Sequence, residues 1–222
     1  LKLLGVIIVT VFVFLILFNQ LIKKEQNENR LISPLSDVIS FVASPFKNDA
    51  LKKIVQDSLK DTKGTYGVVI KNLKTGEFYV QNEHTVFETA SLYKIWIMAI
   101  AFNQIQNGKL KGDEELSEDI SVLNDKFNIS SESAELIEGT IAFTVNQSLE
   151  QMITISHNYA SFLLTKKTKL SSVKTFLQKE GFKESTVGTD GGPPTSTSSD
   201  IALFFEKLYK GELANPQDTN KM

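Results

Sequence analysis

The sequence predicts an α/β (α+β) domain in which a β-hairpin precedes a series of helices. Two segments rich in β-forming residues, YGVVIKNL and EFYVQN, flank the turn Lys74-Thr75-Gly76, which is the pattern of a hairpin. After Phe87 the chain becomes helical, and residues 91–106 predict one apolar helix that ends at Asn107-Gly108. A length of 222 residues suits one domain of moderate size with an additional segment.

The first 22 residues predict a membrane anchor. Residues 3–18 are almost all aliphatic or aromatic, and with residues 19–22 they approach the roughly 20 residues that a transmembrane helix needs. A cleaved signal peptide is the alternative, but no cleavage site with small residues follows. We therefore expect a single-pass anchor at 1–22 in the cell membrane, with an extracytoplasmic domain. Lys23 and Lys24 lie on the flank that the positive-inside rule disfavours for this orientation, so the orientation depends on function.

Residues 23–47 are predicted to be a juxtamembrane stalk, because a polar stretch is followed by a mixed one that contains two prolines. The domain itself is predicted to occupy residues 48–222. The sequence pattern predicts helices at positions 49–61, 91–106, 144–155, 158–166, 172–180 and 199–210. Thr144 and Gln147 form a capping-box pattern at the start of the third helix. The interval 183–198 is rich in Gly, Pro, Ser and Thr, which predicts a loop.

The composition argues against several kinds of site. A formal net charge of −2 gives no electrostatic reason to expect nucleic acid as a partner. The chain has no cysteine, so it has no disulfide, no thiolate nucleophile and no cysteine-ligated metal. Its two histidines, His84 and His157, argue against a multi-histidine metal site. Neither a metal nor an organic cofactor is implied.

The pattern S-x-x-K occurs three times, and the surroundings distinguish the copies. Ser44 precedes Pro45, which disfavours helical dihedral angles, and this copy lies in the predicted stalk. In the last copy, Ser171 or Ser172 is expected to be a helix N-cap, and Lys174 is expected to be solvated. The middle copy, at the start of an apolar helix, is the candidate for chemistry.

Ser91 and Lys94 form this middle copy. Ser91 begins a helix directly after a strand-like segment, so its backbone N–H lies near the positive end of the helix dipole and can help hold an oxyanion. Lys94 shares a helix face with Ser91, and the following residues IWIMAIAF are apolar on every side. Desolvation favours a neutral amine, which can take the proton of a serine hydroxyl. The alternative interpretation is a capping serine with a lysine that extends to the surface.

A second motif, Ser156-His157-Asn158, decides between these interpretations. S-x-x-K followed by S-x-N, with a hairpin before the first motif and the capped helix TVNQSLEQMITIS before the second, resembles the penicillin-recognising serine enzymes. The similarity is closest to the class A β-lactamase branch and covers about residues 48–222. It implies a β-lactamase/D,D-peptidase-like fold, with an antiparallel sheet flanked by helices, an all-helical lobe, and the active-site cleft between them.

The resemblance also implies a role for each motif residue. Ser91 would be the acyl-accepting nucleophile, and Lys94 would be its activating amine. Ser156 would pass a proton toward the leaving nitrogen, and Asn158 would bind the side-chain amide of the substrate and orient Lys94. His157 takes the place of the aspartate that is usual in class A enzymes, and we expect it to pack locally.

Two features of the family are missing from this sequence. A K-T-G motif should follow S-x-N on a strand, but the one copy is the hairpin turn Lys74-Thr75-Gly76, so we expect a fragment without its C-terminal strands. The omega loop of class A enzymes carries a Glu, in E-x-x-L-N, that activates the deacylating water. In the corresponding interval the acidic residues are Glu180, Glu184 and Asp190, and none has this context. We therefore expect acylation to proceed and deacylation to be slow.

The predicted function is that of a serine β-lactamase-like hydrolase that opens the β-lactam ring through an acyl-serine intermediate at Ser91. The predicted partners are a small-molecule β-lactam or D-alanyl peptide substrate and, through the N-terminal helix, the membrane. One alternative is a D-alanyl-D-alanine peptidase of cell-wall metabolism. Another is a catalytically silent, membrane-tethered binding module, which the presence of both Ser91 and Lys94 disfavours.

Overall fold

The computed structural model describes residues 49–188 and 192–222. The predicted membrane anchor (1–22) and the whole predicted stalk (23–47), with its S-x-x-K copy, therefore lie outside the described residues, as does Asp190. Within the two described ranges, no helix combines the length and the apolar character needed to cross a membrane.

The strands are short and pair in antiparallel fashion, as the sequence predicts. The predicted hairpin consists of β1 (Val68–Lys71) and β2 (Phe78–Gln81), with Val69 opposite Val80. The other strands form two further pairs in the described chain, β3 (Val86–Glu88) with β6 (Thr195–Thr197) and β4 (Glu115–Asp119) with β5 (Thr140–Thr144). The loop prediction for 183–198 was thus wrong at β6, where the backbone pairs with β3.

The hairpin turn is Lys74-Thr75-Gly76, as predicted. The side-chain oxygen of Asn72 accepts hydrogen bonds from the backbone N–H groups of Lys74 (3.0 Å) and Thr75 (3.2 Å). Gly76 has a φ of 78°, a left-handed conformation that glycine adopts without a steric penalty. This K-T-G sequence therefore shapes a turn.

Five of the six predicted helices agree with the observed positions to within two residues, a usual uncertainty at helix ends. In the sixth, predicted at 91–106, the α-helix begins three residues later, at Lys94, because Ala90–Tyr93 form a 3-10 helix. The helices Ile120–Lys126 and Pro216–Thr219 were not predicted. The helices of the described ranges are α1 (Asp49–Leu59), α2 (Lys94–Gln106), α3 (Ile120–Lys126), α4 (Val145–Thr154), α5 (Asn158–Thr168), α6 (Leu170–Glu180), α7 (Ser198–Tyr209) and α8 (Pro216–Thr219). Thr144 and Gln147 form the predicted capping box at the start of α4. The N-cap of α6 is Lys169, so the prediction of Ser171 or Ser172 was wrong.

Helix α2 lies at the centre of the helical part and packs against α4, α5 and α6. Its residues 96–102 are all buried, which agrees with their uniformly apolar character. The fully buried side chains around it include Met152, Tyr159 and Leu164. This packing brings the first residue of α2 close to the turn that connects α4 to α5, and both S-x-x-K and S-x-N lie at that junction.

A polar network fixes the end of β6 beside β3. The carboxylate of Glu184 accepts a hydrogen bond from Thr197 (2.8 Å) and pairs with Nδ1 of His84 (3.0 Å). Asp200, which is buried, accepts from the backbone N–H of Glu184 (2.8 Å) and from the hydroxyl of Ser185 (2.8 Å). These contacts hold the segment that follows 189–191 against the strand leading to Ser91.

Candidate active site

Ser91 is exposed on a short 3-10 helix, Ala90–Tyr93, that runs directly into α2. The preceding strand β3 is anchored to β6, and the backbone N–H of the buried Thr89 donates to the carbonyl of Pro194 (2.9 Å). Ala90 has a φ of 45°, which is uncommon for an L-residue and costs on the order of 1–3 kcal/mol. The strained turn presents the Ser91 side chain at the surface while Lys94, three residues on, points into the domain.

Lys94 is almost completely buried, at 2% exposure, and its ammonium group is held by the S-x-N segment. Its Nζ donates to the backbone carbonyl of Ser156 (2.6 Å), to Ser156 Oγ (2.9 Å) and to Asn158 Oδ1 (2.8 Å). The two predicted motifs, more than sixty residues apart in sequence, therefore meet at one nitrogen atom. The alternative of a surface-directed lysine is wrong.

The environment of Lys94 shifts its protonation equilibrium toward the neutral amine, compared with an exposed lysine. Burial lowers the pKa of Lys94, and the negative charge of Glu135 opposes this shift without cancelling it. A lowered pKa increases the fraction of neutral amine near neutral pH, and a neutral amine is a base.

The S-x-N segment forms a tight turn between α4 and α5. Ser156 has a φ of 57°, again in the left-handed region, and is an exposed residue. His157 is the N-cap of α5, and its Nδ1 accepts a hydrogen bond from the backbone N–H of Ala160 (3.2 Å). The His157 ring also packs edge-on against Phe143, with ring centroids 5.5 Å apart. His157 thus has a local structural role, as expected.

Ser156 connects Lys94 to Ser91 through hydrogen bonds. Its hydroxyl accepts from Lys94 Nζ and donates to Ser91 Oγ over 2.9 Å. The described contacts of Lys94 reach Ser91 through this hydroxyl, whereas the sequence suggested direct contact. Because a hydroxyl both donates and accepts, the row Ser91–Ser156–Lys94 can carry a proton in either direction.

One residue at the site was missed by the sequence reasoning. The side chain of Asn158 donates from Nδ2 to Oε1 of Glu135 over 2.6 Å, while its Oδ1 receives Lys94. Glu135 lies on the loop between α3 and β5, twenty-three positions before Asn158. No motif or periodicity marks it, since the contact depends on how that loop folds over the start of α5.

The described structure does not support a catalytic role for the last S-x-x-K copy or for the acidic residues Glu180 and Glu184. Ser171 and Lys174, the last S-x-x-K copy, lie exposed on α6, and Lys174 is solvated as predicted. Glu180 pairs with Lys207 (3.0 Å), and Glu184 with His84, so neither acid faces Ser91 through a described contact. In the two described ranges, no group of three or more acidic or histidine side chains has the arrangement of a metal site.

We compared the chain with known protein sequences and structures. A search of curated protein sequences gave no significant match. Among solved structures, a β-lactamase from Sphaerobacter thermophilus is similar, with 21% identity and a TM-score of 0.66 over 78% of this chain and 67% of that one. A PBP-A mutant, solved as its acyl-enzyme complex with penicillin G, has 20% identity and a TM-score of 0.65 over 80% and 68%. An ancestral class A β-lactamase has 20% identity and a TM-score of 0.63 over 77% and 68%.

At these identities the structural matches establish the fold, which confirms the predicted β-lactamase/D,D-peptidase-like architecture. The family is established separately by sequence. The profile of the "Beta-lactamase enzyme family" matches residues 50–222, which is most of the chain and all of the helices described from α2 onward. The chain therefore belongs to the β-lactamase enzyme family and is a serine β-lactamase-like hydrolase.

Proposed function

We propose that this protein opens β-lactam rings by acylating Ser91, with Lys94 as the base and Ser156 as the proton carrier between them. The observation that carries the proposal is the continuous hydrogen-bonded row from Ser91 Oγ through Ser156 Oγ to the buried Lys94 Nζ. A nucleophile, a base and a path for returning the proton are what acyl transfer requires.

The acylation step follows from this row. Ser91 Oγ bonds to the lactam carbonyl carbon as its proton passes through the Ser156 hydroxyl to the neutral Lys94 amine. The C–N bond of the ring then breaks, and the same proton returns from Lys94 through Ser156 to the departing nitrogen. The product is an ester of Ser91, and Lys94 is again neutral.

Substrate positioning is assigned to two further groups. The backbone N–H of Ser91, at the start of the 3-10 turn, would donate to the oxyanion that develops on the carbonyl oxygen. The Asn158 side-chain Nδ2 carries two N–H groups, of which one is used by Glu135, and the other would donate to the side-chain amide carbonyl of the substrate.

Deacylation is proposed to be slow. Glu180 and Glu184 are engaged in ion pairs with Lys207 and His84, and neither has a described contact with Ser91 that would place it to activate water for hydrolysis of the ester. A mutant of PBP-A, one of the similar folds, was solved as its acyl-enzyme complex with penicillin G. This favours a penicillin-binding D-alanyl-D-alanine peptidase as the second candidate, because such an enzyme also acylates its serine.

We also propose that residues 1–22 anchor the protein in the cell membrane with residues 48–222 on the extracytoplasmic side. The apolar segment 3–18 supports the anchor. The substrate class supports the orientation, since β-lactams and D-alanyl peptides of the cell wall are met outside the cytoplasm. Retention of the complete Ser91–Ser156–Lys94 row argues against a silent binding module.

The expected kinetic result is a stoichiometric burst. On mixing with excess chromogenic cephalosporin, about one equivalent should be opened quickly, followed by a slower steady state, because the acyl ester accumulates. Intact-mass spectrometry after penicillin treatment should show the protein plus one penicillin. Release of D-alanine from a D-alanyl-D-alanine peptide, measured in parallel, would support the peptidase. Fast steady hydrolysis without a burst or an adduct would contradict slow deacylation.

A further inference from the structure

Glu135 and Lys94 together determine which way the Asn158 side chain faces. The lysine ammonium has only donors, so it requires the amide oxygen, and the ionised carboxylate has only acceptors, so it requires the amide nitrogen. The observed contacts, 2.8 Å from Lys94 Nζ to Oδ1 and 2.6 Å from Nδ2 to Glu135, satisfy both requirements in one orientation. An amide turned by 180° would place donor against donor and acceptor against acceptor.

Glu135 is itself held in place by the residue after Asn158. The buried Tyr159 accepts a hydrogen bond from the backbone N–H of Leu136 (3.1 Å) and donates to Asn124 Oδ1 (2.9 Å). Asn124 in turn donates from Nδ2 to the carbonyl of Leu136 (2.9 Å). Both backbone groups of Leu136 are thus bound by buried side chains, which fixes the loop next to Glu135. These hydrogen bonds therefore fix the backbone beside Glu135, whose exposed carboxylate contacts Asn158.

Glu135 also acts on Lys94 through its charge. The other side chains that contact the ammonium group, Ser156 and Asn158, are not titratable at ordinary pH. Among the described residues, Glu135 is the charged group that raises the pKa of Lys94, against the larger lowering by burial. A negative charge nearby favours the cationic amine.

We propose that Glu135 is a positioning residue of this site, which fixes the Asn158 amide in the orientation that receives Lys94 and places a carboxylate next to that pair. The role in acylation rests on the proposed function, but the effects on Asn158 and Lys94 do not. Glu135 thereby links substrate-binding geometry to the strength of the base. It acts through these two residues and makes no described contact with Ser91.

The direct test is the titration of Lys94 in the full chain, followed by NMR with ¹³C-labelled lysine. Lys94→Arg identifies the Lys94 resonance. In Glu135→Gln, which retains an acceptor for Asn158 but loses the charge, the Lys94 titration should move to lower pH. Glu138→Gln is the matched control, because it removes a second exposed carboxylate from the same loop, and it should leave the titration unchanged. Equal midpoints in Glu135→Gln and Glu138→Gln would overturn the electrostatic role.

The positioning role is tested by Glu135→Ala, which removes the acceptor. The Asn158 side-chain amide protons should exchange with solvent faster in this variant than in the wild type and in Glu138→Ala. Unchanged exchange would overturn the positioning role. Because Glu135 is exposed, circular dichroism should confirm that each variant is folded.

Acylation by fluorescent penicillin separates this inference from the proposed function. If the wild type is acylated, the acid limb of its rate-versus-pH profile should move to lower pH in Glu135→Gln, in parallel with the NMR midpoint. A limb that stays in place while the NMR midpoint moves would overturn the link to the base. Absence of acylation in the wild type would contradict the proposed function, and the NMR result would still decide the inference.

Discussion

Replacing Lys94 with methionine is expected to lower the second-order rate constant for acylation by penicillin by about 10²- to 10⁴-fold, the range for loss of a general base. Methionine is close to lysine in length and suits the buried position, but it cannot accept the proton that Ser156 relays from Ser91. The rate constant is measured by stopped-flow fluorescence with a labelled penicillin, with folding checked by circular dichroism.

Two further variants test whether the loss of acylation is due to the loss of a base at position 94. Lys94→Arg retains a cation that can donate to Asn158 Oδ1, but arginine does not lose its proton in the working range, so acylation should fall to a similar extent. Lys174→Met removes the exposed lysine of the last S-x-x-K copy and should leave the rate unchanged. If Lys94→Arg acylated at the wild-type rate, Lys94 would act as a fixed charge and the base assignment would be wrong.

The wild-type rate should also depend on pH in a direction fixed by Lys94. Because burial lowers the pKa of Lys94, the neutral amine forms at lower pH than for an ordinary lysine. Acylation should therefore rise as pH increases through that lowered pKa, and Lys94→Met should lose this rise.

Replacing Leu164 with alanine is expected to reduce the free energy of unfolding by about 2–5 kcal/mol. Leu164 is completely buried on α5, in the core around α2, and alanine would leave a cavity there. This is a large share of the roughly 5–15 kcal/mol by which domains are stable. Urea unfolding followed by circular dichroism measures the change.

Leu170→Ala is the matched control for this stability prediction. Leu170 is the first residue of α6, only six positions further along, but its side chain is 54% exposed. Removing the same atoms there should change the free energy of unfolding by about 0.5 kcal/mol or less. Similar losses in the two variants would contradict the described packing of α5 against α2.

The parts of the fold and site that depend on local sequence could be predicted. The hairpin turn at Lys74-Thr75-Gly76 and the capping box of Thr144 and Gln147 are short-range patterns, and both are present. The uniformly apolar α2 predicted a central helix, and this in turn predicted a buried Lys94. Ser156 and Asn158 could be identified from the sequence because the spacing within the S-x-N motif is fixed. That spacing does not depend on the structure of the chain between the motif and Ser91.

The parts that depend on long-range contacts could not be predicted. Glu135 reaches Asn158 because Tyr159 and Asn124 fix the backbone of Leu136, and no sequence spacing encodes that arrangement. Ser156 hydrogen-bonds to both Ser91 and Lys94 from a backbone in the left-handed conformation, which is unusual for serine. Strand β6 is only three residues long and follows two prolines, so its composition resembles a loop until β3 is placed beside it.

Peptide mapping of the penicillin adduct tests the central claim, that Ser91 is the acylated nucleophile. The wild type, Ser91→Ala and Ser171→Ala are treated with penicillin, denatured in acid to preserve the ester, digested and analysed by tandem mass spectrometry. Ser171 belongs to the exposed S-x-x-K copy and is the matched control. The predicted result is one adduct on Ser91 in the wild type and in Ser171→Ala, and none in Ser91→Ala. An adduct that persists in Ser91→Ala, or that maps to another residue of the wild type, would contradict the claim.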